Sequence, residues 1–144
     1  MGLTKLARLT ASDPVQLHVY LEAFGVDDTA YALYDMFQIT DASDDYRLNI
    51  AGYSGTAGDA LTETWVSNTY RFSTRDRDND GKPNDHCAQI YFGAWWYGTC
   101  HKANLNGLYK PEGYSDYQEG IKWEPYKGHQ ETLKTTIMKI KRVI

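Results

Sequence analysis

The residue types with the most chemical potential in this 144-residue chain lie between Phe72 and His101, in FSTRDRDNDGKPNDHCAQIYFGAWWYGTCH. Asp76, Asp78 and Asp80 stand two apart and are followed by Gly81, a D-x-D-x-D-G string. Carboxylates this close repel one another, and a hard divalent cation, calcium above all, relieves that repulsion through oxygen ligands. The string opens like an EF-hand, but Cys87 stands where that loop needs a bidentate Glu, and Pro83 opposes a helical exit. An EF-hand is therefore excluded. A shorter loop remains, with Asp78 and Asp80 as side-chain ligands, carbonyls near Lys82 and Asn84, and water. The competing reading is a solvated acidic turn, because turns also use Asp, Asn and Gly.

Other groups in the segment are open to more than one role. Cys87 and Cys100 lack CxxC spacing, so they read as two buried thiols or as one short-range disulfide, which would imply an oxidising compartment. Trp95 and Trp96 read as core, since Trp buries a large area and a loop-rich region needs such anchors. A lone histidine such as His101 is more often a structural residue than a ligand contact; if it does touch ligand, binding should weaken near its ordinary pKa of about 6.5. Catalytic templates fail. Gly52-Tyr53-Ser54-Gly55-Thr56 would need a final glycine to be a nucleophile elbow, and no HExxH, P-loop or dinucleotide fingerprint occurs. With no nucleophile, base and orienter together, no enzymatic activity is expected.

The elements that must position these groups are legible in part. Leu3, Leu6, Ala7 and Leu9 recur at helical spacing before Ser12, Asp13 and Pro14, predicting a short helix. Leu17, Val19 and Leu21 alternate with polar or aromatic residues; Tyr31–Tyr34 and Met36–Ile39 are rich in strand formers; Tyr46, Leu48 and Ile50 alternate again. Met138 and Ile140 alternate with Lys139 and Lys141, the pattern of a strand with one wet face. The expected fold is α+β, a twisted antiparallel sheet with short helices. A single domain spans 1–144, with 1–70 and 128–144 as the sheet region and 71–127 as a loop-rich calcium- and ligand-binding region. Periodicity fades between Gly52 and Tyr126, and a long irregular stretch in a compact domain points to function or to tethering by metals and bridges.

Composition narrows the partners. A net charge of -4 offers no attraction to phosphate backbones or anionic lipid. Mean hydropathy is -0.60 and no apolar run approaches the ~20 residues of a membrane helix. No signal-peptide pattern opens the chain, and Leu6 stands where myristoylation wants Ser or Thr. Neither nucleic acid nor membrane is an expected partner.

Gly52-Tyr53-Ser54-Gly55-Thr56-Ala57-Gly58-Asp59, Phe72-Ser73-Thr74, Asp76-Arg77-Asp78-Asn79-Asp80, Gly93-Ala94-Trp95-Trp96-Tyr97, Cys100-His101, Asn104-Leu105-Asn106-Gly107, Gly120-Ile121-Lys122-Trp123 and Met138-Lys139-Ile140 occur in that order. Together they resemble the fibrinogen-like C-terminal domain of ficolins, tachylectins, tenascins, angiopoietins and the fibrinogen chains. The resemblance covers nearly the whole chain. It departs at the start, near where the family's N-terminal subdomain usually ends, so a short form or a truncation is expected, and an uncovered sheet edge could support a homo-oligomer.

The resemblance implies a Ca2+ loop with side chains from Asp78 and Asp80 and carbonyls from Lys82 and Asn84, although one extra residue precedes Cys87. It also implies a Cys87–Cys100 disulfide, a cis peptide between Thr99 and Cys100, and secretion. In acetyl-recognising members the ligand pocket falls on Tyr91, His101 and Tyr117, with Gln118 following and His129 in place of an aromatic found in some relatives. The implied function is calcium-dependent, lectin-like recognition of acetylated glycans; the alternatives are a protein receptor partner or a scaffold without ligand. The acidic residues of fibrinogen's peptide-binding hole correspond to Tyr91 and Gln118, so that chemistry is not retained.

Overall fold

In the computed structural model of the chain, residues 1–143 are described. A helix, α1 (Leu3–Thr10), precedes strands β1 (Val15–Glu22), β2 (Thr29–Ile39) and β3 (Leu48–Gly55). Two four-residue helices, α2 (Cys87–Ile90) and α3 (Glu124–Lys127), interrupt the loops before β4 (Thr135–Arg142). The strands form one antiparallel sheet in the order β3-β2-β1-β4, so the C-terminal strand closes back beside the first.

The alternation in β1 fixes which face is buried. Leu17, Val19 and Leu21 oppose Tyr34, Ala32 and Ala30 of β2, and all six are buried. The inward parity then switches: beyond Asp35 the buried positions are Phe37 and Ile39, paired with Ile50 and Leu48 of β3. Gly52 lies at the switch with φ +75, and a Cβ there would meet the Asp35 side chain at 2.8 Å. Glycine alone tolerates both demands at little cost. Tyr46 does not belong to β3 as its alternation with Leu48 suggested. It follows the turn Ala42–Asp44, has φ +56, and its carbonyl accepts the Trp96 Nε1–H at 2.8 Å.

Pro14 and the apolar spacing of α1 act as expected. Its last residue, Thr10, is buried, and its hydroxyl accepts the Ile39 N–H at 3.0 Å, docking the helix on the end of β2. β4 departs from the expected single wet face. Met138 and Ile140 oppose the buried Val19 and Leu17, yet Met138 and the opposite-facing Ile137 are both exposed. Edge position alone is not the cause, since β3 is equally an edge strand and buries Leu48 and Ile50; the inward side of β4 faces a groove instead of a packed layer. Met138, Ile140, α1, Phe72 and Trp96 line an apolar groove of about 680 Å3.

Residues 56–134 pack over the sheet with little regular structure. Trp95, Trp96 and Trp123 are buried, and indole N–H groups tie distant loops: Trp123 donates to the Gly58 carbonyl at 2.9 Å. Gly58 has φ +83 and would clash with Pro125 if it carried a Cβ. The Gly52–Asp59 stretch is therefore a packing device.

Candidate functional site

The acidic loop is pinned at both ends. Ser73 and Trp95 exchange backbone hydrogen bonds of 2.9 and 3.1 Å, setting the loop's entry against the aromatic core. Its return is held by Gly81, whose N–H donates to the Gly98 carbonyl at 2.9 Å. Between them the chain turns on Asp80. One carboxylate oxygen accepts the Lys82 N–H at 2.8 Å, and the other accepts the Cys87 N–H at 2.8 Å. Asp78 accepts the Asp80 N–H at 3.1 Å, which brings the two carboxylates together.

Asp76 faces elsewhere and accepts the Thr74 hydroxyl at 2.7 Å. The Lys82 ammonium pairs with Asp85 at 3.0 Å, so among the described residues no Lys or Arg neutralises Asp78 or Asp80. Partial burial raises the Asp80 pKa; the Cys87 and Lys82 amides oppose that rise and Asp78 adds to it. Donor atoms of Asp78, Asp80 and His86 lie within 4.8 Å of one another. His86 was not among the ligands expected from sequence. Its signal was its place beside Cys87, in a loop one residue longer than the motif.

A second cluster adjoins this loop through Cys87. The Cys87–Cys100 disulfide joins α2 to the segment after the cis Thr99–Cys100 peptide. Tyr91 ends α2, its N–H donating to the Cys87 carbonyl at 2.9 Å, and His101 directly follows Cys100. Their rings meet edge to face at 4.8 Å, and Tyr97 adds a third ring 5.9 Å from the imidazole. His101 is 4% exposed; neither ring nitrogen makes a hydrogen bond of good geometry among the described residues, and the Gln118 backbone is the one group near enough to oppose the effect of burial. Burial pulls its pKa down to about 4, so the imidazole is neutral at physiological pH.

Tyr117 is exposed and stacks on His129 at 5.2 Å. Burial first, and then Tyr117 nearby, raises the Tyr91 phenol pKa against the opposing pull of Lys82. Gln118 has φ +58, and its side chain meets His129 Nδ1 at 3.1 Å. His129 thus supports the Tyr117–Gln118 corner, a role that sequence had not assigned to it. Lys122, buried beneath, donates to the His129 carbonyl at 2.6 Å.

The family model described as the C-terminal globular domain of fibrinogen beta and gamma chains matches residues 1–143. The chain belongs to the fibrinogen C-terminal domain family. This fibrinogen-like domain is 42% identical to fibrinogen C domain-containing protein 1 of Homo sapiens, over 99% of the chain and 31% of that protein. It is 41% identical to human tenascin-N, over 98% of the chain and 10% of that protein. It spans about a third or less of the length of these curated relatives. Among solved structures, the fibrinogen-like globe domain of human ANGPTL6 superposes with a TM-score of 0.92 at 38% identity, covering 99% of this chain and 63% of that one. A lamprey fibrin D-dimer in complex with the peptide Gly-His-Arg-Pro-amide superposes at 0.89 with 30% identity, covering 96% and 48%.

Two carboxylates converge in the fibrinogen-like loop, and among the described residues no Lys or Arg forms an ion pair with either, so the charge there would fit a divalent cation. Asp78 and Asp80 would hold the ion. The Lys82 carbonyl also accepts the Asp85 N–H at 3.3 Å, closing a turn that leaves it a second lone pair.

Proposed function

We propose that this fibrinogen-like domain is a secreted, non-catalytic recognition module that holds Ca2+ in the Asp78–Asp80 loop and takes acetyl groups of glycans against Tyr91, His101 and Tyr117. The observation that carries the reading is His101: a buried, neutral imidazole beside the Gln118 backbone, which can engage one ring nitrogen at most and leaves the other without a partner among the described residues, walled by an aromatic edge. Buried polar groups without partners are uncommon and costly, and a ligand that supplies a hydrogen bond removes that cost. The apolar Tyr faces suit a methyl, while an amide bonds beside it. The Cys87–Cys100 bridge joins the two clusters, so the cation would order the loop whose far end carries Tyr91. A glycan array with calcium and again with EDTA tests this. Calcium-dependent binding of acetylated ligands is expected, and no binding by folded protein would refute it.

A protein partner is the second reading. Phe92, 59% exposed at φ +51, lines a groove of about 440 Å3 with Leu108. An exposed aromatic in the left-handed region is strained and offers a docking anchor. Phe92→Asn, which tolerates that backbone, should keep stability and abolish capture of a protein receptor while leaving glycan binding intact. Unchanged capture would remove this reading.

A further inference from the structure

Lys122 is 1% exposed, and among the described residues its ammonium forms no ion pair. The two carboxylates whose fields reach it, Glu119 and Glu131, pair instead with Lys110 and Lys127, each at 3.8 Å. A buried charge without a counter-ion is costly. What receives it is one backbone acceptor: Nζ donates to the His129 carbonyl at 2.6 Å, and that same carbonyl accepts the Gln118 N–H at 3.0 Å. The main chain of the lysine is fixed elsewhere. Its carbonyl accepts the Asn104 N–H at 3.0 Å, and Ala103 and Trp123 form a bridge beside it. Lys122 therefore reaches from the backbone that pairs with the segment following His101 to the corner formed by Tyr117, Gln118 and His129.

That corner needs support. Gln118 holds φ +58, a conformation that a non-glycine residue adopts at some cost, and the exposed Tyr117 stacks on the His129 ring at 5.2 Å. We infer that Lys122 is a positioning residue of the ligand site: its buried ammonium clamps the His129 carbonyl and thereby holds Tyr117 and Gln118 in place against His101. This rests on the reading of Tyr91, His101 and Tyr117 as the ligand site and adds the group that keeps its two halves in register. The charge has a second effect. Around the imidazole stand the Tyr91 and Tyr97 rings, the Gln118 backbone, Lys122 and His129, and the Lys122 ammonium opposes protonation of His101 in the same direction as burial. The pKa of the lysine itself is pulled down to about 8, chiefly by burial, so it keeps most of its charge at neutral pH.

Lys122→Met, which keeps the side-chain volume and removes donor and charge together, tests the inference by NMR in excess calcium, with N-acetylglucosamine as the titrated probe. Because the substitution removes a buried unpaired charge, the variant should melt at or above the wild-type temperature. Its Gln118 amide should exchange about ten-fold faster, because the corner opens more often. N-acetylglucosamine should bind about five-fold more weakly, and the His101 imidazole should titrate at higher pH than in wild type. Lys122→Gln, which restores an N–H donor, should recover part of the affinity. A lowered melting temperature together with lost binding marks a merely structural lysine and overturns the inference. Unchanged Gln118 exchange and unchanged affinity in folded Lys122→Met overturn it as well. If wild type binds no N-acetylglucosamine, that result counts against the ligand reading alone: faster Gln118 exchange with an upward His101 titration still supports the clamp, and the absence of both changes overturns it.

Discussion

His101 shows how burial alone changes what a residue can do. An exposed histidine titrates near 6.5 and would switch ligand binding within the physiological range; here burial lowers that value to about 4. Binding should therefore be flat from about pH 8 to about pH 5 rather than falling near 6.5. Stability behaves differently. Between about 6.5 and about 4 the unfolded chain binds a proton that the folded chain refuses, so stability is complete above the unfolded value and declines as pH falls. This one group should account for a loss on the order of 3 kcal/mol across that window. Urea titrations at about pH 7 and about pH 4 should show most of that loss in wild type and little in His101→Phe; equal pH dependence would contradict the assignment. Gly98 is a second residue decided by surroundings. A Cβ there would lie 2.2 Å from the Trp65 carbonyl oxygen, so Gly98→Ala should cost about 1–3 kcal/mol by denaturant titration.

At the scale of elements, patterning succeeded where one face meets a continuous core. The alternation in β1 and the helical spacing of α1 each mark a buried side directly, and both elements form as their patterns predict. It misled in β3 and β4. Tyr46 continues an alternation yet sits in a left-handed turn, and β4 carries an alternating pattern although its inward side faces a groove and leaves Met138 exposed. One hydroxyl ties α1 to β2 beside the packing of Leu3, Leu6 and Ala7. Thr10→Val removes the acceptor for the Ile39 N–H and should cost about 1–3 kcal/mol, read as a lowered denaturation midpoint with unchanged slope. On β4, Lys139 and Lys141 carry charge along the open edge, a known defence against edge-to-edge pairing. Replacing both with Thr should raise self-association in sedimentation velocity, and an unchanged monomer would show that the edge is blocked by other means.

For the whole molecule, the Cys87–Cys100 bridge joins the end of the acidic loop to the segment that carries His101, the proposed cation and ligand clusters. Opening this short loop should cost about 3 kcal/mol, and reduction should lower thermal stability and cation affinity together. A fall in thermal stability alone would mean that the clusters act independently. What the sequence determined by itself is local or compositional: the helix, the strands with a buried face, the acidic string and the aromatic core. The family's motifs named the candidate residues of the proposed site by type. Only the tertiary structure decided environment. It put Asp76 outside the acidic pair, brought His86 beside Asp78 and Asp80, buried His101 among aromatic rings, and set His129 under Tyr117. The physical reason is that a donor's availability depends on every group around it, and those groups come from loops far apart in the chain whose approach no local periodicity encodes.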